Sequence, residues 1–314
     1  MPKSRVTKKE AFKLVSLPLP RLLADAGRLR ESVFGGKVQL CAIINARGGN
    51  CAMDCSFCSQ SRHNKANVDV FELLPSDTLR ERILALSRLP VAKIGLVASG
   101  ELLSGKEFDR LCKVARTLPA EILPRICMSL GRLEEVQLAE LAAIGIRRYH
   151  HNLETSESHY PRICTTQTWR QRRDTILRTM RAGMQACSGG LFGLGESWEQ
   201  RIEFAFSLRE LDVRYIPLNF LNPHPNTPLA SQPPLSAEEA LRIIAVFRHI
   251  LPEATLRICG GRPLVLGERQ REMFAAGANA LMTGNYLTTS GYSVENDLVL
   301  LASLGLEPVV SESF

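Results

Sequence analysis

Three cysteines share one short segment, Cys51-Ala-Met-Asp-Cys55-Ser-Phe-Cys58. Thiolates at x3 and then x2 spacing let a single loop hold three corners of an iron–sulfur cube. The fourth iron then lacks a protein ligand, and an iron with an open position can do chemistry as well as carry electrons. Gly48 and Gly49, just upstream, give the loop backbone freedom. A structural zinc knuckle is the alternative. Such sites draw four ligands from two paired Cys/His groups, and only His63 stands near.

The elements that must position this loop are legible as a regular alternation. Short apolar, β-branched runs alternate with helical patterns from about Lys37 to Ser303. Eight strands are predicted, beginning near Val38, Ile94, Leu123, Arg147, Met184, Tyr215, Leu256 and Ala280, each followed by a helical segment. Three helices open with a capping-box pattern: Ser104-x-x-Glu107, Ser197-x-x-Gln200 and Ser236-x-x-Glu239. Strand, short loop and capped helix in that order are βα units, and eight of them predict an α/β fold of the (β/α)8 TIM-barrel kind. An open doubly wound sheet is the runner-up, disfavoured because no Gly-x-Gly-x-x-Gly follows the first strand. Residues 1–36 read as an N-terminal helical extension with helices over Lys8–Val15 and Leu22–Phe34, residues 37–304 as the barrel, and 305–314 as a short, partly ordered tail. Active sites of such barrels lie at the C-terminal ends of the strands. The cysteine loop follows the first strand and belongs at that end.

Composition narrows the class. The 314 residues are 45% hydrophobic and 23% charged, ordinary for a soluble globular enzyme. No stretch approaches the roughly 20 apolar residues of a membrane span. The start, Met-Pro-Lys-Ser-Arg, has no apolar signal core, so a cytoplasmic location is expected. Nine cysteines in a reducing compartment favour ligation or catalysis over disulfides. Part of the +7 net charge lies on one helical segment, at Arg170, Arg172, Arg173, Arg178 and Arg181. That is a solvated face, a docking surface for an acidic electron carrier, or a contact to a ligand carboxylate. No aromatic-interleaved basic stripe points to nucleic acid.

The pattern Cys-x3-Cys-x2-Cys, with an aromatic residue before the last Cys, resembles the radical S-adenosylmethionine superfamily. The resemblance implies a [4Fe-4S] cluster whose open iron binds S-adenosylmethionine, which one electron cleaves to methionine and a 5′-deoxyadenosyl radical. Further segments narrow it: Tyr149-His-His-Asn-Leu-Glu-Thr-Ser156, Ala186-Cys-Ser-Gly-Gly-Leu-Phe-Gly-Leu-Gly-Glu196, Pro217-Leu-Asn-Phe-Leu-Asn222 with Thr227-Pro228, Leu256-Arg-Ile-Cys-Gly-Gly-Arg262, and Ala276-Gly-Ala-Asn279 through Leu287-Thr-Thr289. Together, from about residue 10 to residue 300, they resemble the biotin synthase family. That implies sulfur insertion into dethiobiotin at two saturated carbons, whose C–H bonds are too weakly acidic for general-base chemistry. It also implies a flavodoxin- or ferredoxin-type electron donor and a homodimer. Carried over residue by residue, Asn152 and Asn219 match groups on the ureido ring of dethiobiotin, and Thr288 and Thr289 those receiving its carboxylate. Glu154 matches an acid on the ribose of S-adenosylmethionine, and Arg172 a base near its methionine carboxylate. Gly193 and Gly195 lie where backbone approaches the adenosine. Taken alone, Asn and Thr at strand ends also close turns.

The family's auxiliary [2Fe-2S] cluster takes cysteines from strands 2, 3 and 5 and an arginine from strand 7. Cys127, Cys187 and Arg257 match three of these, but the second strand has no cysteine, and Leu96 falls nearest the position. Two other cysteines stand out: Cys41 on the first strand, and Cys259 two residues after Arg257 and so on its face. Cys41, Cys127, Cys187 and Cys259 fall on strands 1, 3, 5 and 7, and barrel interiors stack in layers of four from alternate strands. Four thiolates in one layer suit a four-iron auxiliary cluster, with an extra sulfide as a possible sulfur donor. A two-iron cluster on Cys127, Cys187, Arg257 and one new cysteine is the alternative, and four plain core cysteines a third reading. Cys112 reads as helix packing and Cys164 as a loop residue without a ligand role. Competing functions are a related radical enzyme of maturase or mutase type and an iron–sulfur electron carrier without catalysis.

Overall fold

The computed structural model describes residues 6–310. Ten strands form one sheet: β1 (Lys37–Arg47), β2 (Lys93–Ala98), β3 (Ile126–Ser129), β4 (Arg148–His150), β5 (Gln185–Cys187), β6 (Gly190–Phe192), β7 (Tyr215–Phe220), β8 (Thr255–Ile258), β9 (Ala280–Met282) and β10 (Glu307–Val309). All pairings are parallel, and β9 pairs back onto β1, which closes an eight-position barrel. The (β/α)8 expectation holds, with the helices outside.

Three details of strand extent differ from the sequence reading. The third strand starts at Ile126, because Leu123–Arg125 is a 3-10 turn carrying Pro124, which has no N–H for a ladder. The fifth strand is two segments, β5 and β6, each pairing with β7. Its break lies at Ser188-Gly189, where a Cβ on Gly189 would stand 1.8 Å from the Pro217 carbonyl oxygen. The segment read as a tail after Leu304 adds β10 beside Lys37–Gln39, on the side of β1 that β2 leaves uncovered.

The capping boxes of Ser104 and Ser197 are reciprocal, as the pattern predicts. At Ser236 the hydroxyl accepts from Glu239 N, but the Glu239 carboxylate instead pairs with Arg201. Boxes the sequence reading passed over begin at Thr7, Glu134 and Thr168. The N-terminal helices span Lys8–Val15 and Leu19–Phe34; the second starts a turn earlier than expected, with Pro20 tolerated in the first turn. They pack on the helices Trp198–Glu210 and Ala237–Ile250, and Arg242 donates to the carbonyls of Val15 at 2.9 Å and Leu17 at 2.6 Å. Among the described residues no helix is long and apolar enough to cross a membrane.

Candidate active site

A cavity of about 610 Å³ runs down the barrel axis from its C-terminal mouth. Alternate strand residues line it, as pleating requires: Cys41 and Ile43 on β1, Lys93, Gly95 and Val97 on β2, Arg148 and His150 on β4. Leu96 therefore faces the helical layer, where it is buried in the core. The inward residue on β2 next to Leu96 and level with the ladder partner Cys127 is Gly95, which corrects the sequence reading. At that position the second strand contributes no side chain, which leaves room.

Register fixes the height of each inward group. Cys41 pairs with Lys93, Gly95 with Cys127, Cys127 with Arg148, Arg148 with Gln185 and Cys187 with Tyr215. Tyr215 pairs with Thr255, Arg257 with Ala280 and Ala280 with Gln39. In a tilted eight-position barrel the level position advances two residues for every two strands. By that rule Cys41, Cys127, Cys187 and Arg257 occupy one layer, and the last step returns through Ala280 and Gln39 to Cys41. Cys259 lies two residues higher, about 5 Å toward the mouth. The expected layer of four cysteines is thus three cysteines and an arginine, with the fourth cysteine above them. All four thiols and Arg257 line the cavity. Arg257 Nη1 stands 3.8 Å from Cys187 Sγ, while its buried Nε and Nη2 find no protein acceptor. Burial pushes the Cys41 and Cys259 thiols up, and Arg257 draws both back. The layer above includes His150, opposite Cys187 across the ladder.

The cysteine loop folds over the mouth and is fastened by its backbone. Cys51 N donates to Gln60 O and Arg62 N to Cys51 O, both at 2.9 Å, and Asn64 Nδ2 donates to the carbonyls of Cys55 and Cys58 at 3.1 and 2.8 Å. Gly49 sits at φ +70°, where a Cβ would strike Val70. Asp54 ties the loop to the segment after β4: it accepts from the backbone N–H of Thr165 and Thr166 at 2.9 and 3.1 Å. Burial works against its charge, yet the hydrogen bonds of Thr165 and Thr166 hold its carboxyl far below the usual range. Cys58, Ser59 and Gln60 reach the cavity wall. Cys164 does not: its thiol donates to Asp54 Oδ1 at 3.2 Å, on a separate 380 Å³ pocket behind the loop. Cys112 is a fully buried helix residue. Among the described residues no three His, Cys, Asp or Glu side chains converge on one metal ion. All nine cysteines are free thiols.

Of the other expected residues, Asn152, Glu154, Asn219, Thr288 and Thr289 line the cavity. Asn152 Oδ1 accepts from Gly189 N at 3.0 Å and its Nδ2 donates to Glu154 at 3.2 Å. Asn219 bonds Gly190 O at 3.1 Å and Gly260 N at 3.0 Å. Each amide thus pins a strand end and still keeps one N–H for a further partner. Glu154 has φ +71°, a left-handed conformation that is costly for a residue with a Cβ. Its carbonyl accepts from Leu191 N, and a Cβ on Gly190 would stand 2.1 Å from it. Arg172 is held behind Glu154: Nε donates to Tyr160 Oη at 2.7 Å, and Nη1 to Asn152 O at 3.0 Å. The other four arginines of its helix pair with Glu157, Asp174, Glu134 and Glu135. Gly193 and Gly195 have positive φ but do not line the cavity; Glu196 accepts from Gly193 N at 3.0 Å and so closes their turn. Sequence reasoning missed Lys93, Arg148 and His150. Alternation along the second and fourth strands would have found them.

A Radical SAM superfamily model matches residues 46–208, and a Biotin and Thiamin Synthesis associated domain matches residues 217–307. The chain is 65% identical over 298 residues to a biotin synthase of Desulfovibrio desulfuricans, covering 95% of this chain and 94% of that protein. It is 43% identical over 317 residues to a biotin synthase of Nitratidesulfovibrio vulgaris, covering 97% and 87%. Among solved structures, methylornithine synthase superposes with a TM-score of 0.83 at 21% identity, covering 98% of this chain and 95% of that one. The FeFe-hydrogenase maturase HydG from Carboxydothermus hydrogenoformans superposes with a TM-score of 0.82 at 19% identity, covering 96% and 75%. At those identities the structures speak for the fold alone.

Proposed function

The chain belongs to the biotin synthase family of radical S-adenosylmethionine enzymes, and from that premise we propose how its residues divide the insertion of sulfur into dethiobiotin. Cys51, Cys55 and Cys58 hold the [4Fe-4S] cluster, which with S-adenosylmethionine supplies the hydrogen-abstracting radical. Glu154 and Arg172 receive S-adenosylmethionine at the mouth, beside the Gly193–Gly195 turn. Asn152 and Asn219 orient the ureido ring with the hydrogen-bonding capacity they retain, and Thr288 and Thr289 take the carboxylate. Below them Cys41, Cys127, Cys187 and Cys259 hold a four-iron auxiliary cluster that is the sulfur source.

The observation that carries this reading is Arg257, a buried guanidinium with two nitrogens lacking acceptors, among four inward thiols. A buried cation with two nitrogens left without acceptors is costly, and a thiolate-bound cluster supplies both the counter-charge and the acceptors. Three thiols in a layer with a fourth about 5 Å above suit the tetrahedral corners of a cube better than one flat ring would. The side chain missing at Gly95 adds space. One observation favours a two-iron cluster instead: the layer itself, in which Cys41, Cys127, Cys187 and Arg257 stand level, with Cys41 replacing the family's second-strand cysteine.

Two measurements test this. Incubated without oxygen with dethiobiotin, S-adenosylmethionine and a reductant, the enzyme forms biotin; 5′-deoxyadenosine without biotin would hand the chain to a maturase- or mutase-like reaction. Reconstituted protein carries about eight irons per chain, four for each cluster; about six would establish the two-iron form. We propose a flavodoxin- or ferredoxin-type donor and a homodimer, which sedimentation of the holoenzyme checks.

A further inference from the structure

We propose that Arg262, paired with Asp297, fixes the distance between the two recognition ends of the cavity and so selects substrates by the length of their acid chain. The inference rests on the reading that Asn219 takes the ureido ring and Thr288 and Thr289 the carboxylate. Arg262 opens a short helix after β8 and is fully buried. Its Nη1 and Nη2 donate to the two carboxylate oxygens of Asp297 at 2.8 and 2.9 Å, and Asp297 is itself buried. Asp297 lies in the helix Val294–Ser303, which follows the segment carrying the threonines. The same guanidinium stands 3.5 Å from the Met282 carbonyl oxygen, just before that segment, and 4.8 Å from the Tyr292 ring centroid, near its end. Within the segment it stands beside Tyr286, whose phenol burial pushes up to about 12 and Arg262 draws back.

The threonine segment closes on itself at a neck. Gly284 N donates to Tyr292 O at 2.8 Å and Tyr286 N to Thr289 O at 2.9 Å. A Cβ on Gly291 would stand 2.2 Å from the Gly284 carbonyl oxygen, so the two sides of the neck touch. Arg262 meets both sides, and a shift of the guanidinium is passed to Thr288 and Thr289. The tip has looser ties to the barrel: Ser59 Oγ donates to Thr288 Oγ1 at 3.4 Å and Asn45 Nδ2 to Leu287 O at 3.5 Å. The ureido end is built into the same stretch of chain as Arg262. Gly260 N donates to Asn219 Oδ1 at 3.0 Å and Phe220 N to Gly260 O at 2.8 Å. Gly261 has φ +78°, and a Cβ there would stand 2.0 Å from the Phe220 carbonyl oxygen. Three consecutive residues, Gly260 to Arg262, thus connect Asn219 to the neck. With both ends fixed, a methylene more or less in the acid chain keeps ring and carboxylate from reaching their partners together. Arginine suits the role because its planar fork meets a carboxylate through two nitrogens, where a lysine ammonium acts as a single point.

The test compares wild-type holoenzyme with Arg262→Lys on dethiobiotin and on its homologues with the acid chain one methylene shorter or longer. Wild type prefers dethiobiotin over each homologue by about tenfold or more in kcat/KM. In Arg262→Lys the KM for dethiobiotin rises about tenfold with little change in kcat, and the preference over at least one homologue falls by a similar factor. A loss of stability alone would lower the amount of active enzyme and leave KM and the length preference where they were. If Arg262→Lys does not fold, the double variant Arg262→Met with Asp297→Leu takes its place, since it removes both charges and leaves neither buried alone; the same loss of preference is expected. A folded variant with wild-type KM and wild-type preference overturns this inference, as does a wild type that accepts all three lengths alike. Thr288→Val with Thr289→Val separates it from the reading beneath it. An unchanged KM in that double variant overturns the carboxylate assignment and this inference together. A raised KM there, beside an unaltered Arg262→Lys, overturns this inference alone.

Discussion

Cys259 and Arg257 stand two residues apart on one face, and in the proposed auxiliary site which of them completes the ligand set decides the cluster's size. Cys259 is fully buried, and its thiol stands 3.6 Å from its own strand's Arg257 carbonyl. In the four-iron assignment Cys259→Ala removes a corner, so reconstituted protein falls from about eight irons toward four. In the two-iron assignment the same variant keeps about six. Alanine replaces a small apolar group in a packed site, so the folded state itself should lose only about 1–2 kcal/mol, read from chemical denaturation of the apo protein. Cys41→Ala is the control, since both assignments use Cys41 and the auxiliary irons are lost either way. At this scale the sequence was most informative where spacing is local. The three-cysteine loop could be read directly because its three cysteines lie within eight residues. The height of Cys259 could not, because it depends on register accumulated across every strand pairing of the barrel.

Elements carry the same lesson. Capping boxes at Ser104 and Ser197 were readable because both partners lie three residues apart. At Ser236 the pattern was present but Arg201, 38 residues from Glu239, claimed the carboxylate. The split of the fifth strand was hidden for the same reason, since what demands Gly189 is a carbonyl on β7. The Arg47–Glu107 pair, 3.0 Å, links the end of β1, just before the cysteine loop, to the helix Gly105–Arg116. Burial raises the Glu107 carboxyl, but Ser104 and Arg47 outweigh it and hold it below its ordinary 4.5. A carboxyl lowered in the folded state stabilises at pH above its unfolded value, and that contribution is lost as pH falls through the folded value. Melting temperature measured from pH 7 downward should therefore drop on the acid side, below about 4.5. Glu107→Gln should flatten that limb and cost about 1 kcal/mol at neutral pH through the weakened cap and pair. An acid limb identical in the variant would show that Glu107 contributes nothing there.

Across the whole molecule, stability and chemistry are separated along the barrel axis and around its circumference. The mouth carries the cysteine loop, Glu154 and the threonines. The interior carries thiols and cations. Around the outside, the helix Leu19–Phe34 buries Leu22, Leu23 and Ala26 and packs chiefly against the helix Ala237–Ile250. Gly27 approaches so closely that a Cβ there would stand 2.9 Å from the Ala275 carbonyl oxygen, so this helix is fitted rather than loosely appended. Sequence alone placed it outside the barrel but could not show that it seals the outer face of a barrel helix. Leu22 is fully buried in that seam. Leu22→Ala should cost about 2–5 kcal/mol, as large-to-small changes in packed cores do, and appear as a lower midpoint in denaturant with an unchanged slope. The folded fraction should keep its iron content and both cluster potentials, because no path of charge or ligation connects Leu22 to the cavity. A shifted cluster potential in that variant would mean that the N-terminal helices help set the interior, and that the barrel does not insulate its chemistry from its outer packing.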